Sequence, residues 1–459
     1  IIAKMSSGFT VNGEWRMSIE CAAATIPPAL AMKSGTTGMP RFARISRALL
    51  VVGRFGTNSG LSAVSTGSQV LNLVTFVVTQ LAMGVTVLIA RYLGEKRPEQ
   101  IGGLIGGSTV VFTIITAVLF VALVFFAEPI SRLVQAPAEA LNLTTGYVRI
   151  CGGGIFFIVA YNLLSAIFRG LGDSKSPLMF VAVACVVNIV GDLLLVAVFH
   201  MDAAGAALAT VFAQAISVVF ALMLLKKRGL PFKITKRDFR ITPQCRRALK
   251  IGLPLALQEC LTQGSFLALC AFVNRLGLLA SSGYGVANKI VNFAMLVPSA
   301  LMQSMASFVS QNVGAGDEQR ACKSMFTGMG VGMVIGVIVF ALVMFKGDVL
   351  TSLFTTDPDV IQNGFDYLKG FAAETILTAV LFSMIGYFNG HNNTVWVMAQ
   401  GLIQTLIVRL PMSYIMSIQP NASLASIGLA APTATLFGIV LNVIYYMRTK
   451  KREDNHLSA

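Results

Sequence analysis

Apolar runs of about 20 residues recur along the chain, each long enough to cross a hydrocarbon core of roughly 30 Å as a helix. Their polar boundaries predict spans near 61–90, 102–126, 143–167, 177–199, 204–225, 250–273, 284–310, 324–346, 367–388, 394–417 and 424–447. The short connections between them sort by charge. One set holds Arg91, Lys96 and Arg97; Arg169 and Lys175; the run from Lys226 to Arg247; Arg320 and Lys323; and Arg448, Lys450, Lys451 and Arg452 in the tail. The other holds Glu128 and Glu139, Asp202, and Asp357 and Asp359. The positive-inside rule makes the first set cytoplasmic, and with it the C-terminus.

The chain repeats itself at an offset of 220 residues. Tyr147-Val148-Arg149 returns as Tyr367-Leu368-Lys369, Phe168-Arg169-Gly170 as Phe388-Asn389-Gly390, Leu93-Gly94 as Val313-Gly314, and Asn72 as Asn292. Two halves with one helix plan predict an all-α integral membrane protein of two pseudo-symmetric bundles. The lobes are placed at 49–225 and 249–447, with a basic linker at 226–248 and a basic tail at 448–459. The linker reads as a plain cytoplasmic connection, with contact to anionic lipid as the alternative.

The repeat fails at the N-terminus. The span 254–273 maps onto 34–53, where Arg41, Arg44 and Arg47 interrupt the apolar pattern. Each central charge costs about 2.5–3.5 kcal/mol on insertion scales. No charged-then-apolar order marks residues 1–48 as a targeting signal. Two readings stay open: a truncated or frame-shifted reading frame that has lost a first helix, or an unusual soluble extension. Either leaves about eleven spans where two six-helix bundles would have twelve.

Composition narrows the class. A mean hydropathy of +0.74 with 12% charged residues lies far from soluble chains, where roughly a quarter of residues are charged. The net charge of +15 resides in loops rather than along one stripe, so it reports topology and not nucleic acid. Seven scattered cysteines and three histidines lack metal-ligand or disulfide spacing, and the cysteines read as helix-packing residues. No cofactor is expected.

The polar residues inside the spans are the candidate chemistry. Asn188 and Asp192 are spaced one helical turn apart, with Asp192 about eight residues, or roughly 12 Å, from the outer end. An acid at that depth faces a bundle interior, a partner or water. Its repeat mate is Met412, which favours a lobe-specific proton or Na+ site over a structural pairing. Glu374 has Gly154 as its mate, and Glu259 lies beside Gln258 and near Gln263. Arg409 interrupts the span 394–417, and one structural reading has it neutralising Glu374 or Glu259. Gly102-Gly103, Gly106-Gly107 and Gly152-Gly153-Gly154 follow no strand and read as close helix packing. Pro254, Pro298 and Pro411 predict kinks, for bending between states or for packing alone. The 20 methionines and 30 phenylalanines are core, lipid-facing or the lining of an adaptable cavity.

The segments VGRFGTNSGLSAVS (52–65), ARYLGEKR (90–97), FRGLGDSKSP (168–177), NIVGDLLL (188–195), QNVGAGD (311–317) and GYFNGHNNT (386–394) carry a specific likeness. The chain resembles the bacterial multidrug and toxic compound extrusion (MATE) transporters. The resemblance implies twelve helices around a central cavity in the plasma membrane, and export of organic, often cationic, compounds driven by inward H+ or Na+. It implies an N-lobe cation site at Asn188 and Asp192 with Tyr147 and Thr210 as neighbours, and an acidic position at Glu374. A monomer is the expectation, which no residue pattern decides. The family also places an Asp where this chain has Ala48, a departure that bears on coupled transport. Two rivals remain: a lipid-linked precursor flippase, which needs a basic cluster in its cavity, and a defective product. An intramembrane enzyme would need a catalytic pair, and none appears at usable spacing.

Overall fold

The computed structural model describes residues 57–134, 136–228, 235–355, 357–420 and 422–457, and these are helical with no strand among them. The first half contains α1 (Asn58–Gly94), α2 (Glu99–Phe125), α3 (Ala127–Leu133), α4 (Leu141–Gly153), α5 (Ile155–Gly170), α6 (Lys175–Asp192) and α7 (Asp202–Arg228). The second contains α8 (Pro243–Asn274), α9 (Leu278–Ala294), α10 (Leu296–Gly314), α11 (Glu318–Ser352), α12 (Pro358–Phe371), α13 (Glu374–Gly390), α14 (Thr394–Leu402), α15 (Leu410–Ser417), α16 (Leu424–Gly428) and α17 (Ala430–Leu457). Among the described residues 9 segments are long and apolar enough to cross a membrane, and two bent pairs bring the number to 11. The predicted spans fall on these segments. The proposed missing helix concerns residues 1–48, which lie outside the described residues.

Capping residues set the helix starts at both membrane faces. Thr57 accepts from the Gly60 amide at 2.9 Å, Thr242 from Cys245 at 3.2 Å and Asp317 from Arg320 at 2.9 Å. Each satisfies an amide the helix cannot pair internally. The spans are less straight than the apolar runs predict. The α4–α5 pair bends by 52° at Gly154 and the α12–α13 pair by 46° just before Glu374, so repeat mates occupy equivalent bends. Pro254 lies within α8, whereas Pro298 follows the α9–α10 break at Met295 and Pro411 follows a π-helical stretch, Ile403–Arg409.

The 220-residue repeat reappears as paired contacts. A Cβ on Gly170 would stand 2.9 Å from the Thr86 carbonyl, and one on Gly390 would stand 3.0 Å from that of Ala306. The lobes meet reciprocally at the end bearing the basic loops: Gly94 abuts the Gln311 carbonyl, and Gly314 abuts that of Arg91. Glycine allows such backbone contact because no Cβ intervenes. Ser310 Oγ donates to Val87 O and Ser307 Oγ to Arg169 O, each at 2.8 Å, across the same junction.

On one side of this junction α8 is seated against α1 and α2. Gly84 meets the Ala248 carbonyl, Gly252 meets that of Leu81, and Gly107 meets Thr242 and Cys245. On the other side the mates Leu301, Ser304 and Thr327 line a cavity of about 770 Å³ with Arg169, Arg320 and Lys323. The described part of the linker is not a free tether. Thr242 Oγ1 donates to Gly103 O at 2.8 Å, and Gly106 packs on the backbone of Asp238. Thr235 caps Asp238 through its amide and hydroxyl, and these two bonds hold that carboxyl below the usual carboxylate range. The cysteines divide: Cys151 and Cys245 are buried as packing residues, while Cys260 is exposed.

Candidate ion and substrate sites

In the first lobe Asp192 closes α6, and the chain continues as a π-helical turn, Leu193–Val198. A π turn displaces the side chains that follow it and recurs at functional sites. Asn188 and Asp192 are both 0% exposed. Asn188 Nδ2 approaches Thr210 Oγ1 on α7 at 3.5 Å, and that hydroxyl donates to Ala206 O at 2.9 Å. Close packing of Gly191 on Ala209 makes this approach possible. Tyr147 comes from α4, is buried against Gly67 of α1, and lies within electrostatic reach of Asp192 and Thr210. The structure therefore gathers the four predicted residues.

Both carboxylate oxygens of Asp192 and Oδ1 of Asn188 are buried without a hydrogen-bond partner. Unpartnered buried acceptors are costly, at about 1–3 kcal/mol each and more when charged. A group of such oxygens suits a proton or a hard cation, which supplies the missing positive charge.

The second lobe is organised differently. Glu374 opens α13 at the bend, and its Oε1 accepts from Thr435 Oγ1 at 2.8 Å. Thr435 in turn accepts from Gln404 Nε2 at 3.2 Å, and Gln404 Oε1 accepts from Gln400 Nε2 at 2.6 Å. Gly438 leaves room for this chain, since a Cβ there would be 2.5 Å from Gln404 Oε1 and 2.6 Å from Gln400 Nε2. Thr378 of the same helix stands within reach of the Glu374 carboxylate, and Gln400 Oε1 remains without a partner. Sequence reasoning found Glu374 and missed Gln400, Gln404 and Thr435. The signal was present, because Gln400 and Gln404 repeat the one-turn polar spacing of Asn188 and Asp192 within an apolar span.

Glu259 belongs to the lobe junction rather than to this network. It accepts from Gln263 at 2.7 Å within α8 and from Gln80 of α1 at 3.4 Å. Gln258 faces away, against Gly401 of α14. Arg409 makes no direct ion pair with Glu374 or Glu259 among the described residues, although it lies within electrostatic reach of Glu374. Its guanidinium lies over the Phe266 ring, 4.1 Å from the centroid, because α14 and α15 present it to α8.

The family model MatE matches residues 48–194 and 254–415, more than half of the chain. The chain belongs to the MatE family. Among similar proteins, the "Probable multidrug resistance protein YpnP" of Bacillus subtilis is 28% identical over 398 residues, 86% of this chain and 88% of its own length. The FAD transporter of Shewanella oneidensis is 25% identical over 317 residues, 68% of this chain and 70% of its own. A solved multidrug resistance MATE transporter, described in an outward-facing conformation, superposes with a TM-score of 0.86 at 19% identity, covering 92% of this chain and 95% of that one. The MatE assignment agrees with the eleven spans and two-lobe repeat, and it makes the chain a multi-pass membrane protein of a transporter family.

Proposed function

We propose that this chain exports organic compounds by alternating access, coupled to inward movement of H+ or Na+. The observation that carries the reading is Asp192, wholly buried in a membrane span with both carboxylate oxygens unpartnered beside Asn188, Thr210 and Tyr147. A cation or proton bound there and an organic compound bound between the lobes would favour different states. Each then biases the same equilibrium by its differential affinity. The positive-inside rule supports a cytoplasmic position for the lobe junction at Gly94 and Gly314. The multidrug names of the relatives support organic compounds as cargo.

Uptake of ethidium into inverted vesicles under an imposed Na+ or pH gradient tests the proposal. Accumulation that follows one gradient and vanishes with an uncoupler is the expected result. Gradient-independent movement of a lipid-linked pyrophosphate, with no dye accumulation, would replace this reading with the flippase.

A further inference from the structure

We propose that the cavity beside the lobe junction, at the end bearing the basic loops, holds an anionic phospholipid with its phosphate on Arg169, Arg320 and Lys323. The inference goes beyond the exporter reading and does not depend on what the protein carries.

The charge lining this cavity has one sign. Arg169, Arg320 and Lys323 face it, and none of the described residues that line it is a carboxylate. Arg169 carries most of the argument. It lies in the last turn of α5, is only 7% exposed, and its Nε has no hydrogen-bond partner. A buried guanidinium beside open space is costly until an anion meets it. Ser307 Oγ bonds the Arg169 carbonyl at 2.8 Å, which fixes the backbone and leaves the charge unanswered. Arg320 Cζ stands 5.6 Å from the centroid of the Phe308 ring, another lining residue. The acids nearest in sequence are engaged elsewhere: Asp173 accepts from Ser176, Asp317 from the Arg320 amide, and Glu318 from Tyr387. Three cations around one cavity suit a phosphate, whose oxygens match guanidinium in a two-pronged fit.

The repeat explains why the space is open. The mates of Arg320, Lys323 and Thr327 are Gln100, Gly103 and Gly107, and the start of α8 covers all three. Gln244 donates to Gln100, Thr242 donates to Gly103 O, and Gly107 abuts Thr242. Glycine admits a helix at that distance. On the cavity side Lys323 and Thr327 put side chains where such a helix would pack, so a flexible charged molecule fits better than a second α8.

Shape selects a lipid over a free phosphate. Val331 lies roughly 16 Å beyond Arg320 along α11 at the helical rise, and at that deeper end the lining turns to Leu301, Met305 and Val331. Val331, Val334 and Ile338 are all exposed and share one face of α11, an apolar stripe along which an acyl chain can leave. The cytoplasmic leaflet supplies anionic headgroups at the level of the basic loops.

Native mass spectrometry of the purified full chain in a neutral detergent, titrated with phosphatidylglycerol or zwitterionic phosphatidylcholine, tests the assignment. Phosphatidylglycerol is expected to bind more tightly. Arg169→Gln should weaken it about 30-fold or more, as when a buried charge pair loses one member. Arg320→Gln and Lys323→Gln, at exposed positions, should each cost about 5-fold. Arg448→Gln removes an exposed charge from the basic tail outside the cavity and should change nothing. Equal retention of the two lipids overturns the inference. So does a loss in Arg448→Gln equal to that in Arg320→Gln and Lys323→Gln, a comparison that holds even if Arg169→Gln does not fold. Displacement of phosphatidylglycerol by millimolar inorganic phosphate overturns the lipid as occupant, because the phosphate alone would then suffice. None of these outcomes bears on the exporter reading.

Discussion

Where the two lobes touch their own backbones they are copies, and where they hold charge they are not. Gly170 presses on Thr86 as Gly390 presses on Ala306, while Asp192 faces Met412 and Glu374 faces Gly154 across the repeat. Backbone contacts depend on the absence of a side chain and persist through duplication, because any Cβ separates the helices. Buried charges are expensive and survive only where something uses them. The first lobe isolates its acid without a donor, and the second ties its acid into a chain of three polar side chains. The hypothesis that follows from the comparison gives ion binding to the first lobe and cargo recognition to the second.

The strongest way to break that division is to neutralise each acid in turn. Asp192→Asn is expected to remove the dependence of dye accumulation on the driving gradient. The loss should match a typical coupling of about 1–3 kcal/mol, or roughly 5- to 150-fold. Glu374→Gln should keep gradient dependence and change which dyes are accepted. Vesicle uptake with several dyes reads both. If Glu374→Gln abolishes coupling and Asp192→Asn does not, the two roles are exchanged.

A smaller effect sharpens the copied half of the comparison. Gly94→Ala and Gly314→Ala insert a methyl at two faces of one reciprocal contact, so each should lower stability by the same amount, near the lower end of about 1–3 kcal/mol. Thermal unfolding in detergent measures it. Gly285→Ala is the control: a Cβ there meets nothing within 4 Å, so it should be neutral or gain about 0.5–1 kcal/mol from lower backbone freedom. A loss at Gly94 without one at Gly314 would mean that the junction is not symmetric.

The fold was legible because lipid imposes one rule, that every spanning backbone pairs within itself, and apolar length records it. The repeat was legible because glycines at contacts cannot drift. The bends before Gly154 and Glu374 were not, since neither position carries a proline and a bend of that kind arises from packing. At the site, Asn188 and Asp192 stood out because charge is rare in an apolar span. Arg409 stood out for the same reason, but its stacking on Phe266 did not, because sequence spacing reports depth and not which helix lies opposite. Glu259 stood out as well, but its partner in the other lobe did not, since Gln80 is 179 positions away. Thr435 was invisible for a related reason: a lone hydroxyl in an apolar span usually bonds its own helix, and only the α13–α17 packing turns it toward Glu374.

That last residue yields the mildest test. Thr435→Val keeps the shape and removes the hydroxyl that links Glu374 to Gln404. Interhelical hydrogen bonds in membranes are worth about 0.6 kcal/mol on average, so the unfolding temperature should fall only slightly. The informative readout is functional. With Oε1 of Glu374 released, the carboxylate loses its link to Gln404 and Gln400 and the second lobe moves toward the isolated acid that distinguishes the first. The variant should therefore show a dye preference altered in the same direction as Glu374→Gln, with gradient dependence intact. A change in which ion drives uptake would instead mean that the polar chain, rather than the choice of lobe, is what keeps Glu374 from acting as the coupling acid.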